Sequence, residues 1–489
     1  MASEQKRLFL ALALSAFVLF TWQAYFAPKN AFEPAPVTTD KKASNETKVA
    51  QPTATPTTVT TKDSATPVQA TEAKTITVIN GVNEVQITNQ LAILSYKSKM
   101  ATDPLNAVVG DRKPFQIFVL NQGNRVEINL DNFQVDGAKV TGTDSRLGLN
   151  FAGTLGEDGL FRWSLNSSQP YQFYFLNESE TKEGEARQIR QFLTLFKEVE
   201  RSNIDDEESY DGSMKWFGVD YHYHLFATVL DKKTVTMAKI KSENLGVKVV
   251  ESTTNLSGYT VYSQKSYDDL NTLGDNLHLS IDFGVFGIIA VPILKGLQFF
   301  YKYVPNYGFA IILITLFIRT LLFPLQYKSF KSMKKMQKLQ PELAKVKEKY
   351  GDDPQRMQKE TMELFKRNGA NPMGGCLPLL LQMPVFFAFY QVLFNSVELL
   401  GAPFILWIHD LSAKDPYYVL PVLMGAAMFG QTKLNPSTTA DPTQQKMMMF
   451  MPLIFTFFMK DLPAGLNLYI FVSTLFGIAQ QLFVYKTVD

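Results

Sequence analysis

From Tyr307 onward, the sequence alternates between long apolar runs and short polar segments. A helix needs about 20 apolar residues to cross the hydrocarbon core of a bilayer. Because only helices and closed barrels satisfy every backbone polar group in lipid, this pattern predicts a polytopic α-helical membrane protein. The predicted spans of this region are residues 305–327, 376–397, 417–432, 447–462 and 465–485. The runs within 417–432 and 447–462 are short for a crossing helix, which predicts local thinning of the bilayer.

A further apolar run near the N-terminus follows Lys6 and Arg7. It has about 19 residues, enough for a helix to cross the membrane, so segment 1–26 is predicted to be a membrane anchor. The two cations predict a cytoplasmic N-terminus. A cleaved signal peptide is the alternative, and it requires a shorter apolar run and small residues at the cleavage site. Residues 27–72 are rich in Pro, Thr and Ala, which predicts a disordered linker.

Residues 73–282 have a different pattern, in which short β-branched and aromatic runs are separated by Asn-Gly and Asp-Gly turns. This spacing predicts an antiparallel β-sandwich domain. The predicted strands include residues 75–79, 85–87, 115–120, 171–175 and 259–262. In the following segment, 283–304, Pro292 and Lys295 interrupt the apolar run. We expect an amphipathic helix that lies in the membrane interface, with a short spanning helix as the alternative.

The charges of the loops predict the orientation of the spans. Residues 328–370 carry a large excess of Lys and Arg and belong in the cytoplasm. The loop 398–416 is acidic and is expected outside. About six crossings satisfy these charges, which predicts a multi-pass protein of the inner membrane with both termini cytoplasmic and the β domain periplasmic.

The basic segment 328–370 also has helical periodicity. Met336, Leu339 and Leu343 step by three or four residues and form one apolar stripe. Asp353 followed by Pro354 is typical of a helix start. We therefore expect a helical hairpin in the cytoplasm. Most of its lysines are expected to form a solvated face.

Arg319 departs from the rules of the bilayer because it lies inside an apolar run. An arginine near the centre of a span costs roughly 2.5 to 3.5 kcal/mol on insertion scales. Either the side chain extends to the cytoplasmic interface, or it faces a water-filled cavity among the helices. Thr315 lies one turn earlier on the same face. Thr315, Gln382 and Ser473 could share that cavity or could simply join helices by hydrogen bonds.

Motifs for catalysis and cofactor binding are lacking. The sequence has neither a Gly-x-Ser-x-Gly motif nor a glycine-rich phosphate loop. We therefore expect no enzyme activity and no cofactor. A transporter or channel for small solutes is the alternative function, but it predicts paired charges across spans or inverted repeats. An intramembrane enzyme predicts a second ionisable residue near Arg319, and the sequence places none there.

Several segments resemble the YidC/Oxa1/Alb3 family of membrane protein insertases, of the Gram-negative type with a large periplasmic domain. They are residues 307–325, 371–386, 407–418, 441–446 and 463–469, and the resemblance runs from about residue 265 onward. It implies a protein that inserts inner-membrane proteins and helps them to fold, alone or with the Sec translocon. In this family five spans form a hydrophilic groove that opens to the cytoplasm and to lipid.

The resemblance also implies site residues and partners. The groove arginine of the family falls on Arg319. Positions that contact the inserted protein fall on Thr315, Gln382, Met383, Phe386, Tyr469 and Ile470, and Ile470 stands where an aromatic residue is common. Ribosome or substrate contacts on the cytoplasmic hairpin fall on Lys334, Lys335 and Lys338. The implied partners are nascent membrane proteins, the Sec translocon, the ribosome and signal recognition particle pathway, and the lipid bilayer, with no small-molecule substrate.

Overall fold

The structure is a computed structural model that describes residues 73–105, 113–178, 191–203, 206–241, 244–351, 353–370, 377–435 and 442–487. The predicted anchor at 1–26 and the predicted linker at 27–72 lie outside these residues. From Lys74 onward the chain is one compact unit. Its first part is a β domain, and its second part is helical.

The β domain is built from strands that pair only in antiparallel fashion within the described residues. Every predicted strand is confirmed. The strands are β1 (Thr75–Asn80), β2 (Asn83–Thr88), β3 (Ala92–Lys97), β4 (Phe115–Asn121), β5 (Asn124–Glu127), β6 (Gln134–Asp136), β7 (Lys139–Asp144), β8 (Leu149–Leu155), β9 (Phe161–Glu178), β10 (Gln191–Leu195), β11 (Val199–Asn203), β12 (Glu208–Asp220), β13 (His224–Lys241), β14 (Asn244–Val249) and β15 (Thr253–Gln264).

Two long strands make the sheet close on itself. The first half of β9 pairs with β15 and its second half pairs with β14. The first half of β13 likewise pairs with β15, and its second half pairs with β14. The sheet therefore curves around one apolar core, which includes Phe175 and Phe217 with ring centroids 5.2 Å apart. The predicted antiparallel β-sandwich class is confirmed.

The helical part begins directly after β15. Its helices are α1 (Tyr267–Leu273), α2 (Gly287–Tyr303), α3 (Tyr307–Lys338), α4 (Gln340–Tyr350), α5 (Pro354–Arg367), α6 (Leu377–Asn395), α7 (Val419–Leu434), α8 (Pro442–Met459) and α9 (Ala464–Thr487). A short 3-10 turn, Val397–Leu399, follows α6. Helix α9 packs against α3 and α7, and α2 packs against α3 and α6.

Three helical segments of the described residues are long and apolar enough to cross a membrane: Gly284–Tyr303, Tyr307–Lys338 and Ala464–Thr487. Leu380–Asn395, Val419–Leu434 and Met449–Met459 are apolar but shorter. The predicted polytopic helical membrane fold is confirmed. Helix α2 buries Ala290, Ile293, Leu294 and Leu297 on one face, while Ile288 on the other face is exposed. An interfacial position for α2 stays a prediction.

The predicted helical hairpin begins as a continuation of α3. That helix has 32 residues and passes Pro324 without ending, so the structure has no break at the predicted boundary between residues 327 and 328. The chain bends at Leu339, where α4 begins. Asp353 caps α5 by accepting a hydrogen bond from the backbone N–H of Arg356, with Pro354 in the first turn. The start of the second hairpin helix at these two residues is therefore confirmed.

The β domain contacts the helical part through a buried junction. Lys265 donates to both carboxylate oxygens of Asp220 at 2.9 Å, and both side chains are buried. The ring of His222 lies edge-to-face against Phe394 of α6, with centroids 5.2 Å apart. Arg201 donates to the backbone oxygens of Ser280 and Leu279. These contacts attach the end of the β domain to the helices.

A candidate hydrophilic site among the helices

Arg319 is a half-buried cation on α3, at the place where α3 packs against α9. Its Nε donates to Ser473 Oγ of α9 at 2.8 Å, and its Nη1 donates to Gln326 Oε1 of its own helix at 3.4 Å. Gln480 Nε2 donates to the backbone oxygen of Arg319 at 3.2 Å. Among the described residues, no carboxylate forms an ion pair with Arg319. The cation is therefore held by neutral hydrogen-bond partners.

Gln382 extends this network to a third helix, α6. Its Nε2 donates to Tyr469 Oη and lies 3.4 Å from Ser473 Oγ. The buried ring of Tyr469 stacks on Phe389 of α6, with centroids 4.1 Å apart. Arg319, Ser473, Gln382 and Tyr469 thus form a hydrogen-bonded chain that joins α3, α9 and α6. We call these four residues the arginine network.

Two further amides near Arg319 retain unused hydrogen-bonding capacity. Gln326 Nε2 and Gln480 Oε1 are buried and have no hydrogen-bond partner among the described residues. A buried polar atom without a partner is costly in an apolar environment. A water molecule, or a polar group of a bound polypeptide, would relieve this cost. The surroundings of Arg319 are therefore suited to polar occupants rather than to a sealed apolar core.

A glycine leaves space beside the guanidinium group. A Cβ atom at Gly477 of α9 would lie 3.4 Å from Arg319 Nη1 and 3.4 Å from Gln431 Nε2 of α7. Any side chain larger than methyl at this position would compete with Arg319 for the same space. Gly477 thus allows α3, α7 and α9 to place their polar groups around one point.

The other predicted contact residues lie in different surroundings. Thr315 is buried and donates to the Ile311 backbone oxygen of its own helix at 2.6 Å, so it does not join the arginine network. Ile470 is buried in the apolar cluster of the helices. Met383 is 42% exposed, and Phe386 is half-buried with its ring against Phe387. Met383 and Phe386 share α6 with Gln382 and form an apolar surface near the network.

The three predicted hairpin lysines are not equivalent. Lys334 Nζ donates to the Tyr485 backbone oxygen at 2.7 Å and so connects α3 to the end of α9. Lys335 is exposed, and its Nζ lies 3.4 Å from the backbone oxygen of Gly369. Lys338 is exposed on the last turn of α3. Lys335 and Lys338 are thus the two that present charge to solvent.

Gln326 is a member of the site that the sequence analysis missed. It lies seven residues, or about two helical turns, after Arg319 and therefore on the same face of α3. This seven-residue spacing could have predicted that Gln326 lies near Arg319. Gln326 was overlooked because it lies between Pro324 and Lys328, in a composition that is typical of the polar end of a span.

The C-terminal part of the chain is similar to known proteins. The model of the family described as "60Kd inner membrane protein" matches residues 299–489. The chain is 44% identical over 294 residues to a membrane protein insertase YidC of Wolinella succinogenes, covering 60% of this chain and 54% of the relative. The C-terminal region is thus similar to the membrane protein insertases YidC.

Other YidC proteins are similar to the same extent. The YidC of Geotalea daltonii is 44% identical over 291 residues, covering 57% of this chain and 55% of the relative. That of Campylobacter jejuni is 41% identical over 285 residues, covering 58% and 54%. The chain thus matches about half the length of these curated YidC relatives.

Two solved YidC structures also align with the chain at low similarity. One is described as an active YidC insertase with the first transmembrane domain resolved; it is 20% identical, has a TM-score of 0.40, and covers 84% of this chain and 92% of its own. YidC from Thermotoga maritima is 16% identical with a TM-score of 0.29, covering 83% and 98%.

Proposed function

We propose that this chain is a membrane protein insertase and chaperone of the inner membrane. Its clients would be nascent membrane proteins with one or a few spans. The observation that carries the proposal is Arg319, an intramembrane cation whose ordered partners are neutral. A charge that served only to join two helices would be expected to pair with an acid.

The physical problem for an insertase is the polar flank of its client. An apolar segment gains free energy in lipid, at about −0.3 to −0.6 kcal/mol per apolar residue near the helix centre. Its polar flank must cross hydrocarbon, where each unsatisfied backbone group costs several kcal/mol. The amides of Gln326 and Gln480, together with the arginine network, offer hydrogen bonds to that flank. The apolar segment would meanwhile lie along Met383 and Phe386 on α6.

Electrostatics would favour clients with acidic flanks. Arg319 attracts a carboxylate into the helical layer, which lowers the cost of desolvating it. With the orientation predicted from the loop charges, a membrane potential that is negative inside then favours the exit of each acidic charge by about 2.3 kcal/mol per 100 mV. This mechanism uses no nucleotide and no cofactor, in agreement with the absence of such motifs from the sequence.

The partners follow from the same proposal. The cytoplasmic hairpin, with Lys335 and Lys338 exposed, would receive clients from the ribosome and signal recognition particle pathway. By analogy with the family, we propose that the protein inserts its clients either alone or together with the Sec translocon. The β domain would be periplasmic, and both termini would be cytoplasmic.

Reconstitution tests the function. Purified protein in liposomes would be given single-span clients whose outer flanks carry either acidic or neutral residues, and protease protection would measure insertion. We expect insertion of both clients by the natural chain, and a larger loss with Arg319→Ala for the acidic client. Arg367→Ala, which removes an exposed arginine paired with Glu363, is the matched control. Equal insertion by empty liposomes and by the natural chain would refute the proposal.

A further inference from the structure

Glu398 is a carboxyl group that the arginine network does not use. It lies in the 3-10 turn Val397–Leu399, just after α6 and at the opposite end of the helical layer from the cytoplasmic hairpin. Its Oε1 accepts a hydrogen bond from Gln298 Nε2 of α2 at 3.1 Å. Its Oε2 is buried and has no hydrogen-bond partner among the described residues. The hydrogen bond from Gln298, a neutral donor, thus joins the side chain at the end of α6 to α2.

The charged groups around Glu398 do not neutralise it. Asp268 and Asp269 of α1 are both negative. Lys295 lies on α2 one turn before Gln298, but it is paired with Asp268 and lies over the ring of Tyr267. Among the described residues, no cation forms an ion pair with Glu398.

Two tyrosines complete the titratable groups that face this carboxyl. Tyr301 of α2 stacks on Tyr307 at the start of α3, with centroids 4.1 Å apart. Tyr307 lies close enough to Glu398 for the two groups to interact electrostatically. The surroundings of Glu398 therefore offer its own backbone N–H, one amide donor, two phenols and two carboxyl groups.

Such surroundings favour the neutral acid over the carboxylate. Burial, the largest cause, raises the pKa of the Glu398 carboxyl above its ordinary value. Hydrogen bonds from its own backbone N–H and from Gln298 oppose this shift, and the charges of Asp268 and Asp269 add to it. An ionised carboxylate with a buried, unpaired oxygen would gain by moving into water. That movement would break the contact with Gln298.

We propose that Glu398 is a proton-binding site that holds α2 against the outer end of α6 when it is protonated and releases α2 when it ionises. The inference rests on the proposed function for its orientation, in which this end faces the proton-rich side of an energised membrane. A high proton concentration on this side then keeps Glu398 protonated and α2 packed against α6. Helix α2 also packs against α3. The site thus couples the packing of α2 against α3 and α6 to the proton concentration outside the membrane.

The protonation state is tested first, without any client. Infrared spectra of the full chain in lipid would be recorded at neutral pH for the natural protein and for Glu398→Gln, which imitates the neutral acid. We expect a protonated carboxyl band in the natural protein that Glu398→Gln removes and that alkaline pH abolishes. The matched control Glu348→Gln, at an exposed glutamate of α4, leaves the band in place. A band that is absent, or that is unchanged in Glu398→Gln, overturns the proposal.

The release of α2 is tested next by amide hydrogen exchange of Gly287–Tyr303 against pH, corrected for intrinsic exchange. If ionisation of one carboxyl releases the helix, protection falls about tenfold for each pH unit above its pKa. Glu398→Gln should keep α2 protected across the same range, while Glu348→Gln behaves as the natural chain. The same pH profile in Glu398→Gln and the natural chain overturns the coupling. Because neither measurement uses insertion, their failure is distinct from failure of the proposed function.

Discussion

Arg319 and Ser473 are joined by a 2.8 Å hydrogen bond from the guanidinium Nε to the serine Oγ, and this bond connects α3 to α9. Nε is the guanidinium atom nearest the chain, so its bond to Ser473 fixes the direction of the group. The two Nη atoms are thereby left for Gln326 and for an incoming polar group. Ser473 is consequently a positioning residue for the cation.

Ser473→Ala should weaken the positioning of Arg319 without removing its charge. A hydrogen bond to a charged group contributes about 1.5 to 3 kcal/mol, and we expect insertion of acidic-flanked clients to fall, but less than in Arg319→Ala. Insertion of clients with neutral flanks should change little. The measurement is the ratio of insertion rates for the two clients in liposomes.

Ser396→Ala is the matched control for this substitution. Ser396 is a buried serine like Ser473 and lies directly after α6, but its Oγ has no hydrogen-bond partner among the described residues. It should leave the ratio of the two clients unchanged. If Ser473→Ala also left the ratio of the two insertion rates unchanged, Ser473 would have no role in positioning Arg319.

The buried pair of Asp220 and Lys265 gives a second prediction, about stability. Lys265→Met leaves the Asp220 carboxylate buried without its cation, and breaking such a pair typically costs about 3 to 5 kcal/mol. We expect a lower unfolding temperature for the β domain, measured by protease resistance of the full chain on heating. Asp220→Leu combined with Lys265→Met removes both charges and should recover much of the loss. A double variant as unstable as Lys265→Met would contradict this explanation.

The sequence predicted the class of the fold because its two periodicities are strong. In β8, buried and exposed residues alternate at every position, as the period of a strand requires. Asp353 and Pro354 likewise predicted the start of α5 from local chemistry alone. The end of the second span was harder to place, because α3 runs on for 32 residues past Pro324. Propensity does not indicate where a continuous helix leaves the bilayer.

The candidate site was predictable where a residue breaks a general rule. Arg319 is such a residue, since a cation inside an apolar run demands an explanation. Its partners Gln326 and Ser473 were not predictable as partners, because helix packing decides which small polar groups meet. Thr315 shows the reverse case: it shares a face with Arg319, but its hydroxyl bonds to its own helix. Ser and Thr in helices commonly do so.

Asp415 supports a third prediction, concerning the loop before α7. It is buried, and it accepts hydrogen bonds from Trp407 Nε1 at 2.9 Å and from the backbone N–H groups of Tyr417 and Leu420 at 3.0 and 2.7 Å. Asp415→Asn keeps the shape but leaves only one acceptor oxygen, so at least one donor loses its partner at a cost of about 1 to 3 kcal/mol. We expect faster amide exchange at Leu420. Asp410→Asn, in the same loop, changes a carboxylate that accepts from the backbone N–H groups of Gly401 and Ser412. It should leave the Leu420 amide protected, and equal exchange in both variants would contradict the role of Asp415.

His222 links the stability of the junction to pH. Burial and the nearby Lys265 lower its pKa from about 6.5 to about 4, although a hydrogen bond to the Phe394 backbone opposes the shift. The unfolded chain therefore takes up a proton at higher pH than the folded chain does. Above pH about 6.5 the histidine is neutral in both states and costs nothing. As pH falls from about 6.5 to about 4, stability should decrease by up to about 3 kcal/mol, at 1.36 kcal/mol per pH unit.

The measurement is the protease resistance of the β domain in the full chain across this pH range. His222→Gln cannot take up the proton, so its stability should fall less steeply over the same interval, even if its stability at neutral pH is lower. The difference between the two pH profiles isolates the histidine, because the buried pair Asp220 and Lys265 is present in both proteins. Parallel profiles would show that His222 protonates outside this interval or stays accessible to water in the folded state.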